Sequence, residues 1–259
     1  SQRIAPSGHS SIEMVDVKQL FRSSNVGMFS PQLVMGMQAC LDEGNQAIVF
    51  LNRRGYATTV LCPACGFILV CPACDVALNY HRDIDKAVCH YCGVEMAIPH
   101  QCPRCRKSHL RFLGKGTQKV EEELRNLLPQ AKIVRMDTDS ARRKGLQQTV
   151  QKIRDREVDI AIGTQMIAKG FDFPGISLVG VVSADPLLGL PDFRARERAF
   201  QILVQVAGRA GRGESKGRVI IQTLEPDNPF FEMVKSADYV EFYNQEISSR
   251  LTLGYPPFS

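Results

Sequence analysis

The stretch DIAIGTQMIAKGFDFPGISLVGVVSAD, residues 159–185, contains two apolar runs separated by a segment with two glycines, Gly170 and Gly175. The runs DIAIGT and ISLVGVVSAD are nearly continuous in apolar and β-branched residues and do not alternate with polar ones. Strands with this pattern are buried on both faces, as in a parallel sheet covered by helices. The stretch therefore predicts two buried strands of a parallel α/β fold.

Three more runs of this kind lie outside the stretch: AIVFLN (47–52), KIVRMD (132–137) and RVIIQTL (218–224). Helical patterns alternate with them. In open sheets of this type, ligands bind outside the carboxyl ends of the strands. We therefore expect functional residues in the loops after AIVFLN, DIAIGT and VGVVSAD.

The first predicted helix is SPQLVMGMQACLDEG (30–44), with Ser30 as its N-cap and Gly44 at its end. Its inward face is expected to contain Leu33, Val34, Met37, Cys40 and Leu41. Core packing is accordingly the expected role of Cys40.

Three more helices are predicted from apolar spacing and end signals. TQKVEEELRNLLP begins with Thr117 as a cap and stops at Pro129. Its residues predicted to face inward are Val120, Leu124, Leu127 and Leu128. RKGLQQTVQKIRD (143–155) repeats this spacing at Leu146, Val150 and Ile153, and FRARERAFQILVQVAGRAG (193–211) is expected to end near Ala207.

The 259-residue chain is 44% hydrophobic and 23% charged, which is typical of a globular protein. It has no uninterrupted apolar run of about 18 residues, and its opening SQRIAPSGHS lacks the features of a signal peptide. We therefore predict a cytoplasmic protein that binds no membrane. A start at Ser1 and an end just after Pro256-Pro257 suggest an excised fragment.

The cysteines indicate metal binding. Eight of the nine form four CxxC pairs between Cys62 and Cys105. A reducing compartment disfavours disulfides, and two CxxC pairs together complete a tetrahedral sulfur site of the structural zinc kind. Two Zn²⁺ ions per chain are therefore predicted, with iron–sulfur ligation as the leading alternative.

A nested pairing of the four CxxC pairs is preferred over a sequential or an interleaved one. It places Cys71, Cys74, Cys89 and Cys92 in one site, and Cys62, Cys65, Cys102 and Cys105 in the other. Nesting brings the two ends of the segment together, as an insertion into another domain requires. With eight sulfurs available, the histidines are expected to be ordinary surface residues: His81, His90, His100 and His109. Eight thiolates and two Zn²⁺ would lower the formal charge of +5 to about +1, so net charge does not indicate nucleic acid.

Two loops carry residues suited to phosphate binding. After DIAIGT, the segment TQMIAKGFDFPG offers Thr164 and backbone N–H groups, and phosphate contacts need no base identity. QVAGRAGRG (205–213) places Arg209 and Arg212 three residues apart on one side of a helical turn, among glycines that allow close approach. The arginine pair is suited to stabilising a polyphosphate.

Together these loops resemble motifs V and VI of superfamily 2 helicases. The order NRRGYA, four CxxC pairs, GKGTQKVEEEL, IGTQMIAKGFDFP, PDFRARERAFQILVQVAGRAGRG and GYPPF closely resembles the PriA family of primosomal replication-restart helicases. The resemblance begins near Asn45 and runs to the end of the chain, whereas residues 1–30 match only through VDVK. It implies an α/β fold with a RecA-like parallel sheet, the second helicase lobe, and an inserted cysteine-rich zinc-binding module.

The resemblance also implies roles for matching residues. Arg212 corresponds to the arginine finger, Arg209 to its phosphate-binding companion and Gln205 to a coupling residue. Nucleotide contacts are implied at Gly170, Asp172 and Gly208, with Asp172 at the ribose, and DNA-backbone contacts at Thr164, Gln165 and Lys169. The implied substrate of the full protein is ATP with Mg²⁺. The implied partners are forked or single-stranded DNA, other primosome and replication-restart proteins, and single-stranded-DNA-binding protein.

The sequence lacks a recognisable P-loop. That motif requires G-x-x-x-x-G-K-[ST], and the nearest string, GKGT (114–117), has its lysine before the second glycine. No DExH box occurs either. The full-length protein is expected to be an ATP-dependent DNA helicase, and this chain alone is expected not to hydrolyse ATP.

The predicted organisation has five parts: a lead-in from the preceding lobe (1–30), the first part of lobe 2 (31–61), the zinc module (62–106), the remainder of lobe 2 (107–253) and the start of a linker to a C-terminal domain (254–259). Two other hypotheses are weaker. A non-enzymatic zinc-ribbon module, binding nucleic acid or protein on an α/β scaffold, leaves the two helicase motifs unexplained. Another nucleotide-dependent enzyme, such as a topoisomerase or a transport ATPase, does not predict this order of motifs.

Overall fold

The computed structural model describes residues 10–21, 27–51, 58–62, 64–75, 77–81, 84–89, 92–107, 109–113, 117–136, 145–168, 171–189, 192–211 and 216–258. The chain divides into two compact units. The first, called the sheet unit, comprises Ser1–Arg53, Lys115–Ala184 and Gln205–Thr223. The second, called the cysteine unit, comprises Arg54–Gly114, Asp185–Val204 and Leu224–Ser259.

The described strands, in chain order, are β1 (Ser11–Asp16), β2 (Gln46–Phe50), β3 (Thr58–Leu61), β4 (Asn79–His81), β5 (Lys86–Val88), β6 (Glu95–Met96), β7 (Arg111–Leu113), β8 (Ile133–Met136), β9 (Ile160–Gly163), β10 (Ile176–Val181) and β11 (Arg218–Thr223). The described α-helices are α1 (Pro31–Asp42), α2 (Thr117–Leu127), α3 (Leu146–Arg154), α4 (Gln165–Ala168), α5 (Asp185–Leu188), α6 (Ala195–Ala207), α7 (Pro229–Ser236) and α8 (Tyr239–Leu253). Residues Lys18–Phe21 form a 3-10 turn.

The sheet unit contains a six-stranded sheet in the order β1-β11-β10-β2-β9-β8, with every neighbouring pair parallel. All five strands predicted from the sequence are present. Every residue of β2, β9 and β10 is buried. The predicted parallel α/β fold with strands buried on both faces is confirmed.

Helix α1 packs on β2 and β10. Its N-cap is Ser30, whose side chain accepts a hydrogen bond from the Leu33 backbone N–H, as predicted. The approach to β10 is close, because a Cβ added at Gly180 would lie 2.6 Å from Leu33 Cδ1. A glycine in this strand therefore provides the space that the helix occupies.

The predicted inward face of α1 is largely correct. Leu33, Met37 and Cys40 are buried, whereas Val34 and Leu41 are half-buried. Cys40 packs in the core, with its sulfur 3.2 Å from Ser177 Oγ. Burial raises the pKa of this thiol, although the hydrogen bond with Ser177 lowers it in part.

Helix α2 corrects one prediction. Val120, Leu124 and Leu128 are buried, but Leu127 is 44% exposed and does not face inward. The buried stripe follows positions i, i+4 and i+8, and Leu127 lies at its edge in the last turn. In α3, Val150 and Ile153 are buried as predicted, while Leu146 is half-buried.

Strand β1 differs from the prediction that residues 1–30 form a lead-in segment from another lobe. It pairs in parallel with β11 from Ser11↔Arg218 to Asp16↔Thr223, so it is the edge strand of the six-stranded sheet. The physical reason is non-local pairing: β1 is only partly buried and has no continuous apolar run that would reveal it.

A buried amide fixes the carboxyl end of this sheet. The Gln222 side chain, which is 0% exposed, donates to the carbonyls of Met28 at 2.8 Å and Val182 at 2.7 Å. Its oxygen accepts from the Ser30 N–H at 2.6 Å. The three bonds tie β11 to the residue after β10 and to the start of α1, and they satisfy groups that would be costly to bury unpaired.

The cysteine unit contains a five-stranded sheet in the order β6-β5-β4-β3-β7, and the described pairs are antiparallel. It begins at β3 and ends at β7, so it extends beyond the predicted module boundaries of 62 and 106. The same unit includes Asp185–Val204 and Leu224–Ser259, which the sequence assigned to the remainder of lobe 2.

The helical part of the cysteine unit is held by aromatic and ionic contacts. The rings of Phe200 and Phe242 stack with centroids 4.3 Å apart. Arg250 donates to Glu197 at 2.9 Å and to Glu246 at 3.1 Å. Burial lowers the pKa of this guanidinium, but the two carboxylates outweigh burial and raise it above its ordinary value. In the described part of the chain, no helix has the length and apolar character needed to cross a membrane.

Candidate metal centres and phosphate loops

The four CxxC pairs share one backbone turn. In each, the residue after the second cysteine has a positive φ and donates its N–H to the carbonyl of the first cysteine at 2.9 Å. These residues are Gly66 (φ 74°), Asp75 (φ 53°), Gly93 (φ 77°) and Arg106 (φ 53°). The turn directs both thiols of a pair to one side. The sequence signal for it was present in two of the four pairs, as the string CxxCG.

The thiols gather into two clusters with the predicted nested pairing. Site 1 contains Cys62, Cys65, Cys102 and Cys105, and site 2 contains Cys71, Cys74, Cys89 and Cys92. Within each site the ligand atoms all lie within 4.8 Å of one another.

The sulfur–sulfur distances fit a tetrahedral metal. Sulfur atoms lie 3.6 Å apart in Cys62–Cys105, 3.7 Å in Cys65–Cys102 and 3.6 Å in Cys71–Cys92. A tetrahedron with metal–sulfur bonds of about 2.3 Å has edges of about 3.8 Å, whereas a disulfide bond is only about 2.05 Å long. Two sites of four thiolates each therefore suit Zn²⁺, and none of the nine cysteines forms a disulfide.

The antiparallel sheet positions these ligands. Cys62 directly follows β3, and β3 pairs with β7, the strand that follows Cys102 and Cys105. Cys89 directly follows β5, which pairs with β6 just beyond Cys92. The buried core around the sites contains four of the ligands together with Val60, Leu69, Leu78, Ala87 and Leu110.

One thiol in each site has a raised pKa. Burial raises the pKa of Cys65 to about 12, with further contributions from Cys62, Cys102 and Cys105. A hydrogen bond with Cys92, followed by burial, raises the pKa of Cys74 to about 12. Because metal ligands must be deprotonated, a metal entering these clusters displaces protons from them.

The histidines belong to neither cluster in the described part of the chain. His81 is half-buried, and His100 and His109 are exposed. His109 Nδ1 lies 2.6 Å from the His100 carbonyl, a contact that the sequence did not predict. His90 lies outside the described residues.

The first phosphate loop follows β9. Thr164 is 4% exposed, and its carbonyl, just before the short helix α4, accepts a hydrogen bond from the Ile167 N–H at 2.9 Å. Gln165 is half-buried and Asp172 is exposed. The predicted contacts at Lys169 and Gly170 lie outside the described residues.

The second phosphate loop follows α6. Gln205 and Gly208 are exposed, and Arg209 is half-buried. Arg209 Nη1 donates to the carbonyl of Phe171, in the first loop. Gly211, with a φ of 72°, donates its N–H to the Ile176 carbonyl at 3.0 Å. The predicted arginine finger, Arg212, lies outside the described residues.

The two loops are therefore brought together. Arg209 joins the second loop to the first, and Gly211 joins it to the first residue of β10. A third bond runs from Ser10 Oγ to the Ala210 carbonyl at 3.0 Å. Sequence reasoning missed Phe171 and Ser10, because a backbone carbonyl and a distant serine give no pattern in the sequence.

Known proteins match both parts of the chain. The family model of the PriA DNA helicase Cys-rich region (CRR) domain matches residues 71–96, and that of the helicase conserved C-terminal domain matches residues 109–214. Replication restart protein PriA of Bacillus subtilis is 46% identical over 95% of this chain and 31% of its own length. The PriA proteins of Treponema pallidum and Haemophilus influenzae are each 42% identical, over 99% and 89% of this chain and 38% and 32% of their own lengths.

By its parallel sheet and by the match at residues 109–214, the chain is similar to a helicase C-terminal domain, and it carries an inserted cysteine-rich module whose two thiol clusters could hold zinc. Within that class, it is similar over nearly its whole length to part of the PriA replication restart proteins, including their Cys-rich region. The chain spans about a third of the length of the curated relatives described above.

Proposed function

We propose that this chain is the second motor lobe of an ATP-dependent DNA helicase that acts in replication restart and primosome assembly at stalled forks. The observation that carries the proposal is the hydrogen bond from Arg209 to the Phe171 carbonyl. The loop after β9 bears the proposed DNA contacts, and the loop after α6 bears the proposed nucleotide contacts. This hydrogen bond between the two loops supports coupling between the state of the bound nucleotide and DNA binding.

The proposed roles are those that the resemblance to superfamily 2 helicases implies. Gln165 and Lys169 contact the DNA backbone, and the largely buried Thr164 supports them by holding the start of α4 through its carbonyl. Asp172 meets the ribose, and Gly170 and Gly208 allow the nucleotide to approach. Arg212 is the arginine finger, which stabilises charge on the transferring phosphoryl group. Arg209 binds phosphate and is oriented by the Phe171 carbonyl, and Gln205 couples the loops.

Two Zn²⁺ ions per chain are proposed to hold the cysteine-rich module in its fold. Each would be held by four thiolates, which leaves no open coordination position and therefore indicates a structural role. The module would present a rigid surface to DNA or to primosome proteins, including single-stranded-DNA-binding protein. ATP with Mg²⁺ would bind together with the preceding lobe of the longer protein, in the cytoplasm predicted from the sequence.

The test is steady-state ATP hydrolysis by a full-length protein containing this chain, with and without forked DNA. Arg212→Ala should lower kcat by about 10³ to 10⁵, because an arginine finger contributes that much to phosphoryl transfer. The matched control is Arg154→Ala, which removes an exposed arginine of α3 and should leave the rate unchanged. Retention of full activity by Arg212→Ala would contradict the proposed role.

A second variant tests coupling. Arg209→Gln should lower the ratio of DNA-stimulated to basal hydrolysis more than it lowers the basal rate, because it weakens the bond between the loops. The isolated 259-residue chain should show no hydrolysis. DNA-stimulated turnover by this chain alone would instead show that the motor is complete without another lobe.

A further inference from the structure

The two cysteine clusters differ in exposure. In site 1, Cys62 and Cys102 are buried and the other two ligands are half-buried. In site 2, Cys71 and Cys89 are buried and Cys74 is half-buried, but Cys92 is exposed. Cys92 is the one exposed residue among the eight ligands, so site 2 is the more accessible of the two to a dissolved reagent.

The charges next to the clusters also differ. The last CxxC pair of site 1 is bordered by three exposed cations, Arg104, Arg106 and Lys107. In site 2, Asp75 directly follows Cys74, and Lys86 is already paired with Glu95 at 2.7 Å. Four thiolates around a divalent cation carry a net charge of about −2. Neighbouring cations stabilise such a centre and make its sulfurs weaker nucleophiles, whereas neighbouring carboxylates do the reverse.

Each site has one ligand beside an interior strand, β3 or β5, and one before an edge strand. The edge strand of site 1 is β7, which has three residues. Cys92 of site 2 lies just before β6, a two-residue strand at the edge of the sheet. Short edge strands with few hydrogen bonds open more readily than interior strands. Exposure, charge and anchoring therefore all make site 2 the more reactive one.

We propose that Cys92 is a modification site at which peroxides react first, so that site 2 releases its metal before site 1. This inference rests on the proposed occupancy of both sites by zinc. The reaction class is two-electron oxidation of a thiolate.

The chemistry balances with hydrogen peroxide as oxidant. The Cys92 thiolate attacks one peroxide oxygen, the O–O bond breaks, and hydroxide leaves, which gives a sulfenic acid. The Cys71 thiolate, whose sulfur lies 3.6 Å from that of Cys92, then displaces a second hydroxide and forms a disulfide. Two thiolates have lost two electrons in total, and the peroxide has gained them as two hydroxide ions. Site 2 has then lost two of its four ligands and no longer retains zinc.

The experiment uses the zinc-loaded chain, with the metal count first established by native mass spectrometry. Hydrogen peroxide is added in substoichiometric steps while a chromogenic chelator reports released zinc. The cysteines are then alkylated and mapped by peptide mass spectrometry. The expected result is release of the first zinc together with loss of free thiol at Cys71 and Cys92, while all four site 1 cysteines still alkylate as thiols after reductant-free denaturation.

Either of two outcomes would overturn the proposal: site 1 is oxidised before site 2, or the two sites are oxidised at equal rates. A zinc count below two before peroxide is added would overturn the two-zinc occupancy itself, which is a distinguishable failure. A matched pair of variants isolates the exposed sulfur. Cys92→His keeps a ligand but should abolish the fast phase of zinc release, whereas Cys105→His, at the corresponding position of site 1, should retain it.

Discussion

The two sheets of this molecule are stabilised in different ways. In the six-stranded sheet, β2, β9 and β10 are buried at every residue and are covered by helices. The five-stranded sheet has strands of only two to four residues, and four cysteines belong to its buried core. A sheet this small buries too little apolar surface to be stable alone, so metal ligation replaces apolar packing there. The sheet unit should fold without metal, and the five-stranded sheet should not.

Metal removal is the strongest test of this difference. A chelator should unfold the five-stranded sheet and leave the six-stranded sheet folded, because structural zinc contributes about 10–16 kcal/mol to the folding of small zinc domains. Amide hydrogen exchange measured by mass spectrometry should show loss of protection in residues 58–113 and retained protection in β2, β9 and β10. Equal loss of protection in both sheets would show that they do not differ in this way.

Stabilisation of the five-stranded sheet by metal also predicts that its zinc affinity depends on pH. The pKa values of Cys65 and Cys74 are raised to about 12, so protons compete with zinc for these thiols. Zinc binding releases protons, and zinc affinity should therefore rise with pH and fall as the solution becomes acidic. Competition titrations with a chelator between about pH 6 and pH 8 would measure the slope of zinc affinity against pH. A slope of zero would show that the ligands are already ionised without the metal.

Substitutions between α1 and β10 test the apolar packing that stabilises the six-stranded sheet. Leu33→Ala removes a side chain that is 0% exposed and should lower the free energy of unfolding by about 2–5 kcal/mol. Gly180→Ala places a methyl group where Leu33 Cδ1 lies 2.6 Å away, and overpacking of this kind costs about 1–3 kcal/mol. Neither change should alter the number of zinc ions bound.

Combining Leu33→Ala and Gly180→Ala in one protein tests whether these two positions are energetically coupled. The methyl group added at position 180 can enter the space that Leu33→Ala creates, so the double variant should be less destabilised than the sum of the single variants. Urea denaturation of the four proteins that form this double-mutant cycle would measure the coupling. Simple additivity would mean that Gly180 is not required by the close approach of α1.

The same comparison explains which features could be predicted from the sequence. The five predicted strands were recognisable because a nearly continuous apolar run reflects burial on both faces, which is complete in β2, β9 and β10. The nested cysteine pairing was recognisable because an insertion must bring its ends together. In both cases one strong physical requirement acts on a short, local piece of sequence.

The features that were missed depend on distant partners. Strand β1 is a partly exposed edge strand whose register is set by β11, about 200 residues away. The contacts that join the phosphate loops use a backbone carbonyl, Phe171, and a serine far along the chain, Ser10. Leu127 was misassigned because helical periodicity does not define where a buried stripe ends.

The turns of the CxxC pairs give the smallest and most local test. In site 1, one CxxC turn has a glycine at the position with positive φ, Gly66, and the other has a residue with a side chain there, Arg106. A Cβ added at Gly66 would meet nothing within 4 Å, so Gly66→Ala changes only the backbone preference. It should weaken zinc binding by about 1 kcal/mol, because left-handed backbone costs an L-residue about 1–2 kcal/mol and the stiffer unfolded chain returns part of that. Arg106→Gly should have the opposite sign or no effect, and Arg106→Ala, which removes the charge but keeps a Cβ, separates charge from backbone. If Arg106→Gly weakened binding as much as Gly66→Ala in the same chelator competition, backbone strain would not be the factor that distinguishes these turns.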